Sequence, residues 1–100
     1  MDISELREQI NEIDREIVDL YGRRMETARA IGRYKRAHHL PVLDSERERE
    51  LLDRVAKQAG EENEQGVREL YQLLLDHSKR RQETDGLQED EASAGSAAEI

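Results

Sequence analysis

From Ile3 onward the apolar residues of the chain fall at Ile3, Leu6, Ile10, Ile13, Ile17 and Leu20. This 3-4 spacing puts them on one face of an α-helix at roughly 100° per residue. The rhythm continues through Arg24, Ala28, Ile31 and Lys35, and no proline interrupts it before Pro41. Gly22 and Gly32 lie inside the stretch and each costs up to about 1 kcal/mol relative to Ala, but neither is joined by a turn signal. A helix from about Asp2 to His38 would be roughly 55 Å long. A compact domain of 100 residues has a radius of gyration near roughly 13 Å. Such a helix must protrude, and a protruding apolar stripe needs another chain to cover it. The expectation is an oligomer, most simply a dimer.

Two further helices follow. His38-His39-Leu40-Pro41 ends the first, because a residue before proline is pushed out of the α region. Asp44 or Ser45 can cap the second, with Glu46 and Glu48 in its first turn. That helix carries Leu51, Leu52, Val55 and Ala59 on one face and stops near Gly60. A third begins around Asn63, presents Val67, Leu70, Tyr71, Leu74 and Leu75, and fades after Gln82. The fold class expected is therefore all-α, with a helical domain over residues 1–85. Residues 86–100 are acids, Ser, Gly and Ala for the most part and read as a disordered acidic tail. Residues 83–100 contribute −6 of the formal net charge of −8, so the body is nearly balanced. No basic face stands out, which argues against nucleic acid as a partner. No apolar run approaches the roughly 20 residues of a membrane span, and MDISELREQ is no signal peptide. Together with the absence of cysteine, this points to a cytoplasmic home. Arg outnumbers Lys 13 to 3, a weak hint of a salt-adapted source.

Each stripe also carries polar residues where its pattern calls for apolar ones. Arg24 and Lys35 lie on the seam of the first helix. Glu48 precedes Leu51 and Leu52 on the second, with Asp44 one turn earlier, whereas Glu46, Arg49 and Glu50 point away. Ser78 follows Leu74 by four on the third, and Gln82 follows Ser78 by four. Arg7 and Arg47 sit at stripe edges, within reach of the interior. Taken singly, each has a structural explanation. One charge on a seam can fix register, Glu48 can pair with Arg24 or Lys35, and Ser78 can bond back to its own helix. Taken together, cations exceed anions and neutral donors join them, a composition suited to a small dianionic ligand. No metal is expected. His38 and His39 are adjacent and so diverge on a helix, nothing supplies a ligand set, and a helix C-terminus accounts for them better. No nucleophile motif, dinucleotide loop or P-loop occurs, and no cofactor is expected.

The run LREQINEIDREIVDLYGRRMETARAIGRYKRAHHLPVLDSERERELLDRV, followed by ELYQLLLDHSKRRQ, resembles the all-helical AroQ class of chorismate mutases over about residues 3–82. Arg7, Arg24, Lys35, Asp44, Arg47, Glu48, Ser78 and Gln82 each match a family active-site position. The resemblance implies an intertwined homodimer, with the long first helices crossing between subunits, and chorismate as substrate. It implies that Arg7 reaches in from the partner subunit and, with Arg24, grips the carboxylates. Lys35 would meet a carboxylate and the ether oxygen, and Gln82 would donate to that same oxygen. Glu48, helped by Asp44 or Arg47, would hold the ring hydroxyl, and Ser78 would face the ring carboxylate. A neutral amide at Gln82 further implies turnover that is flat across neutral pH. Two rivals remain open. One is an isochorismate-pyruvate lyase of the same fold, which generally departs in the region of Asp44 to Glu48. The other is a non-catalytic helical dimer that regulates a shikimate-pathway enzyme.

Overall fold

The computed structural model of the chain describes the backbone of residues 1–99 and the side chains of residues 1–84. It contains three helices, α1 (Ile3–Ala37), α2 (Ser45–Ala59) and α3 (Glu64–Glu99). Asp2 caps α1 by accepting the Glu5 N–H at 2.9 Å, and Asp44 caps α2 by accepting the Arg47 N–H at 3.1 Å. Both do what a short acidic side chain does at a helix start, satisfying a donor that the helix itself leaves free. Gly60, with φ 83°, ends α2 in a conformation that glycine takes without a Cβ penalty.

The end of α1 is more elaborate than a stop before proline. His39 takes φ 55°, its N–H bonds to Arg36 O at 3.2 Å, and the Leu40 N–H bonds to Lys35 O at 2.7 Å. This is the paired-bond Schellman arrangement, made here with histidine at the position that glycine usually occupies. The His38 ring stacks on Tyr34 with centroids 4.1 Å apart. The two histidines thus belong to the helix stop, and they fix the 38–44 loop relative to Lys35.

α3 packs against both α1 and α2, and among the described residues α1 and α2 do not pack on each other. Leu51, Val55 and Leu75 form the buried apolar cluster, flanked by Leu52, Val67 and Tyr71. Arg68 on α3 pairs with Asp53 on α2 at 3.2 Å at the rim. The other contact face sets one methionine beside two small residues. Met25, Ala28 and Gly32 on α1 are buried against a turn of α3 that carries Ser78 and Gln82. At Gly32 the backbones nearly touch: a Cβ there would stand 2.7 Å from Gln82 Cα and 2.8 Å from Gln82 O.

The molecule measures 60 × 34 × 14 Å, which is little more than one helix thick. Its protruding part is the first half of α1. Ile3, Leu6, Ile10, Ile13, Ile17 and Leu20 are each 44–60 % exposed, whereas in the second half of α1 Met25, Ala28 and Gly32 are buried and Ile31 stays 44 % exposed. No helix among the described residues is long and apolar enough to cross a membrane. The assignment of α3 continues to Glu99, past Gln82 where the apolar pattern ends. The side chains of the expected tail, residues 86–100, lie outside the described residues.

Candidate active site

A cleft of about 390 Å³ lies where α1 and α2 face each other across α3. Arg24 and Lys35 reach it from α1, Asp44 and Arg47 from the start of α2, and Ser78 and Gln82 from α3. Ala28, Ile31, Leu51 and Leu75 make its apolar wall. Glu48 lines a smaller extension of about 70 Å³ that shares Lys35, Asp44, Arg47, Ser78 and Gln82 with the main cleft. Seven of the eight residues singled out in the sequence are therefore brought together. Their convergence follows from the stripes, since each helix buries its stripe against α3 and carries its polar members into the same space.

Arg7 is not among them. It stands seventeen residues before Arg24 on the same helix, about 25 Å away along the axis, on the protruding half of α1. No side chain bridges that distance within one chain.

The cations of the cleft are held in different ways. Arg24 Nη1 donates to Ser78 Oγ at 2.5 Å, and Ser78 Oγ donates in turn to Leu74 O at 2.8 Å. The Arg24 guanidinium also lies 5.8 Å from the Tyr71 ring centroid, a cation–π contact. Ser78 thus bonds back to its own helix, as its position alone suggests, and anchors Arg24 as well. Lys35 Nζ donates to Val42 O at 2.7 Å, so its head is tied to the loop whose start its own carbonyl fixes. Arg47 lines the cleft, but its guanidinium turns outward to Glu50 at 3.2 Å. That is a departure from the inward reach expected of it, and it costs little to reverse because both side chains are more than half exposed.

Ser78 and Gln82 are the buried polar residues of the chain's described part. Gln82 Oε1 is buried with no hydrogen-bond partner. An amide end left so is a cost of about 1–3 kcal/mol unless a ligand, or rotation of the amide, supplies a partner.

Glu48 differs from expectation in its partner. The sequence offered Arg24 or Lys35, but the structure pairs Glu48 Oε1 with Lys79 Nζ at 2.9 Å. The oxygen is buried, and the ammonium stands within charge-pairing range but is not aligned as a good donor to it. Side-chain contact with Glu48 raises the Lys79 pKa above its usual value. Desolvation opposes this, and the charges of Glu48 and of Asp76, 3.7 Å away, add to it. Lys79 escaped the sequence reading because it is one position off the α3 stripe. Only the register of α2 on α3 brings it to Glu48. Gly32 escaped for a similar reason, since within α1 alone it reads only as a weak point.

Among the described residues the fold is all-helical, and cationic and amide side chains from all three helices line one cleft. The chorismate mutase type II family matches residues 6–83, and the chain belongs to that family. It is 32 % identical over 80 residues to the chorismate mutase of Methanocaldococcus jannaschii, covering 77 % of this chain and 80 % of that one. It is 35 % identical over 75 residues to the bifunctional chorismate mutase/prephenate dehydratase of Escherichia coli, covering 73 % of this chain but 19 % of that protein. A bifunctional relative in Aquifex aeolicus is 38 % identical over 56 residues, 56 % of this chain and 16 % of that one. No solved structure matches the chain.

Proposed function

We propose that the cleft binds the chorismate dianion in its reactive diaxial shape, in a cytoplasmic homodimer where Arg7 of each chain completes the partner's cleft. The activity itself, isomerisation of chorismate to prephenate in aromatic amino-acid biosynthesis, follows from membership of the family. The reaction is an intramolecular pericyclic rearrangement in which an ether C–O bond breaks as a C–C bond forms. It asks for no nucleophile. Catalysis then reduces to holding one conformer and stabilising charge that develops on the ether oxygen.

The convergence of Arg24, Lys35, Ser78 and Gln82 on one cleft with an apolar wall is the observation that carries this reading. Arg24, braced by Ser78 and Tyr71, pairs with a substrate carboxylate. Lys35 exchanges its bond to the Val42 carbonyl for a carboxylate and the ether oxygen, and the Gln82 amide turns its N–H to that oxygen. Glu48 accepts a hydrogen bond from the ring hydroxyl at the end of the cleft, with Asp44 and Arg47 beside it. Ser78 faces the ring carboxylate. The second carboxylate requires a further cation. Arg7 supplies it from another copy, whose α1 also covers the exposed stripe. The intact Asp44-x-x-Arg47-Glu48 favours the mutase over a lyase acting on isochorismate.

Two measurements test this. Supplied separately with chorismate and isochorismate, the protein should consume the first and form prephenate; pyruvate release from the second would move the assignment to the lyase. The shared site is tested by mixing two inactive variants, Arg7→Ala and Arg24→Ala. If Arg7 acts across the interface, each mixed dimer has one intact cleft and random mixing restores about a quarter of the native rate. If Arg7 acts within its own chain, no mixture recovers activity.

A further inference from the structure

Lys79 is a cation lining the cleft's small extension that the reaction, as set out above, does not use. Its Nζ stands 2.9 Å from Glu48 Oε1 and 3.7 Å from Asp76 Oδ1. Its side chain is 29 % exposed and that of Glu48 20 %. It lines the small extension that holds Glu48 and also an outer groove with Leu43, Asp76 and Arg80. Lys79 is thus the wall between the interior of the site and solvent.

The other charges around Glu48 are already engaged. On α2, Asp44 lies one turn before it, and the Arg47 guanidinium is turned out to Glu50. On α1, the Lys35 ammonium is bound to Val42 O. On α3, Lys79 is the facing cation, with Asp76 behind it. A carboxylate this far from water costs free energy unless a cation meets it. In a cleft shaped for a dianion, an unneutralised Glu48 would also repel the ligand's carboxylates.

We propose that Lys79 is a positioning residue for the reaction: from α3 it pairs with the Glu48 carboxylate and holds it aimed into the cleft, without itself touching the substrate. The proposal rests on the reading of Glu48 as the acceptor of the ring hydroxyl. Lys79 does for Glu48 what Ser78 and Tyr71 do for Arg24, and a neutral side chain of similar length fills the space but not the role.

The test uses the purified full chain and the variants Lys79→Met, Lys79→Arg, Glu48→Gln and the double variant Glu48→Gln/Lys79→Met, with Lys79→Gln replacing Lys79→Met if its melting curve shows that it does not fold. Lys79→Met is expected to lower kcat/KM by roughly tenfold, the scale of coupling between groups in contact. Lys79→Arg should restore most of the rate, a rescue by charge that loss of packing alone does not predict. In the Glu48→Gln background the lysine substitution should cost nothing further. If Glu48→Gln is impaired but Lys79→Met matches the native enzyme, the positioning role is overturned while Glu48 keeps its place. Losses at the two positions that simply multiply overturn it too. If Glu48→Gln itself matches the native enzyme, the reading of Glu48 fails and this inference falls with it.

Discussion

The two halves of α1 share one periodicity and meet opposite fates. From Met25 to Gly32 a methionine, an alanine and a glycine are buried against α3 of the same chain, and Ile31 beside them stays 44 % exposed. From Ile3 to Leu20 the seam is broad and aliphatic, and it is exposed along its whole length. The contrast lies in side-chain size. Small residues let a second helix of the same chain come to backbone contact, as Gly32 does at Gln82. A row of isoleucines and leucines holds a neighbour further off and offers more area to cover. Burying one such side chain is worth roughly 1.5–3 kcal/mol, so six left in water are a large incentive for a second copy. The packed half carries the cleft, and the open half carries Arg7.

The strongest way to break this contrast is to charge the open half. Ile13→Asp places an unpaired carboxylate under whatever covers the stripe, a change expected to cost roughly 4 kcal/mol or more. Assembly and, with Arg7 no longer delivered, nearly all turnover should be lost. Glu12→Lys, on the opposite face of the same turn, should change neither. Light-scattering mass and a chorismate assay on both variants decide the matter. A monomeric Ile13→Asp that remained fully active would show that the cleft is complete within one chain.

In the packed half the largest expected loss is in rate alone. Lys35→Ala removes the group assigned to the oxygen that gains charge, and kcat should fall by roughly 10²–10³-fold, the usual effect of losing one such donor. Mass and melting temperature should hardly move, because the ammonium is tied only to the Val42 carbonyl. Near-normal turnover in a folded Lys35→Ala would remove that residue from the proposed chemistry.

Gly32→Ala sharpens the comparison from the other side, by making the narrow seam slightly wider. The added methyl meets Gln82 backbone, not a side chain that can turn away, so α3 must shift. Overpacking of this kind costs about 1–3 kcal/mol, and for a domain of this size each 1 kcal/mol lowers the melting temperature by about 4–8 °C. Lys35 lies one turn beyond Gly32 and Gln82 lies opposite, so kcat should drop along with stability. Gly22→Ala, where an added Cβ meets nothing, should stabilise or leave the protein unchanged.

Much of this was legible before any coordinates. The 3-4 spacing placed the three helices, though not the end of α3, Asp44 was one of two candidate caps for α2, and the polar members of each stripe marked the cleft. Whatever depends on one helix alone can be read in that way. The relations between helices could not. Lys79 meets Glu48 only through the register of α2 on α3, and Gly32 matters only because Gln82 lies opposite. The outward turn of Arg47 reflects a free competition between solvent-facing Glu50 and the cleft. His39 at a positive φ had no glycine to signal it.

The smallest expected effect returns to Lys79 and concerns stability. Its folded-state pKa is raised above the ordinary 10.5, chiefly by side-chain contact with Glu48. A cation whose pKa is raised on folding stabilises the native state fully below its unfolded pKa. That contribution is lost as pH climbs through the folded value, so the window opens only above 10.5. Across neutrality the Lys79 contribution should therefore be constant. Above that window the difference in unfolding free energy between the native protein and Lys79→Met should shrink towards zero. Denaturant unfolding of both proteins over the alkaline range measures it. A difference that stayed constant through the whole range would mean that the lysine stabilises α3 by the packing of its aliphatic stem and not by its charge.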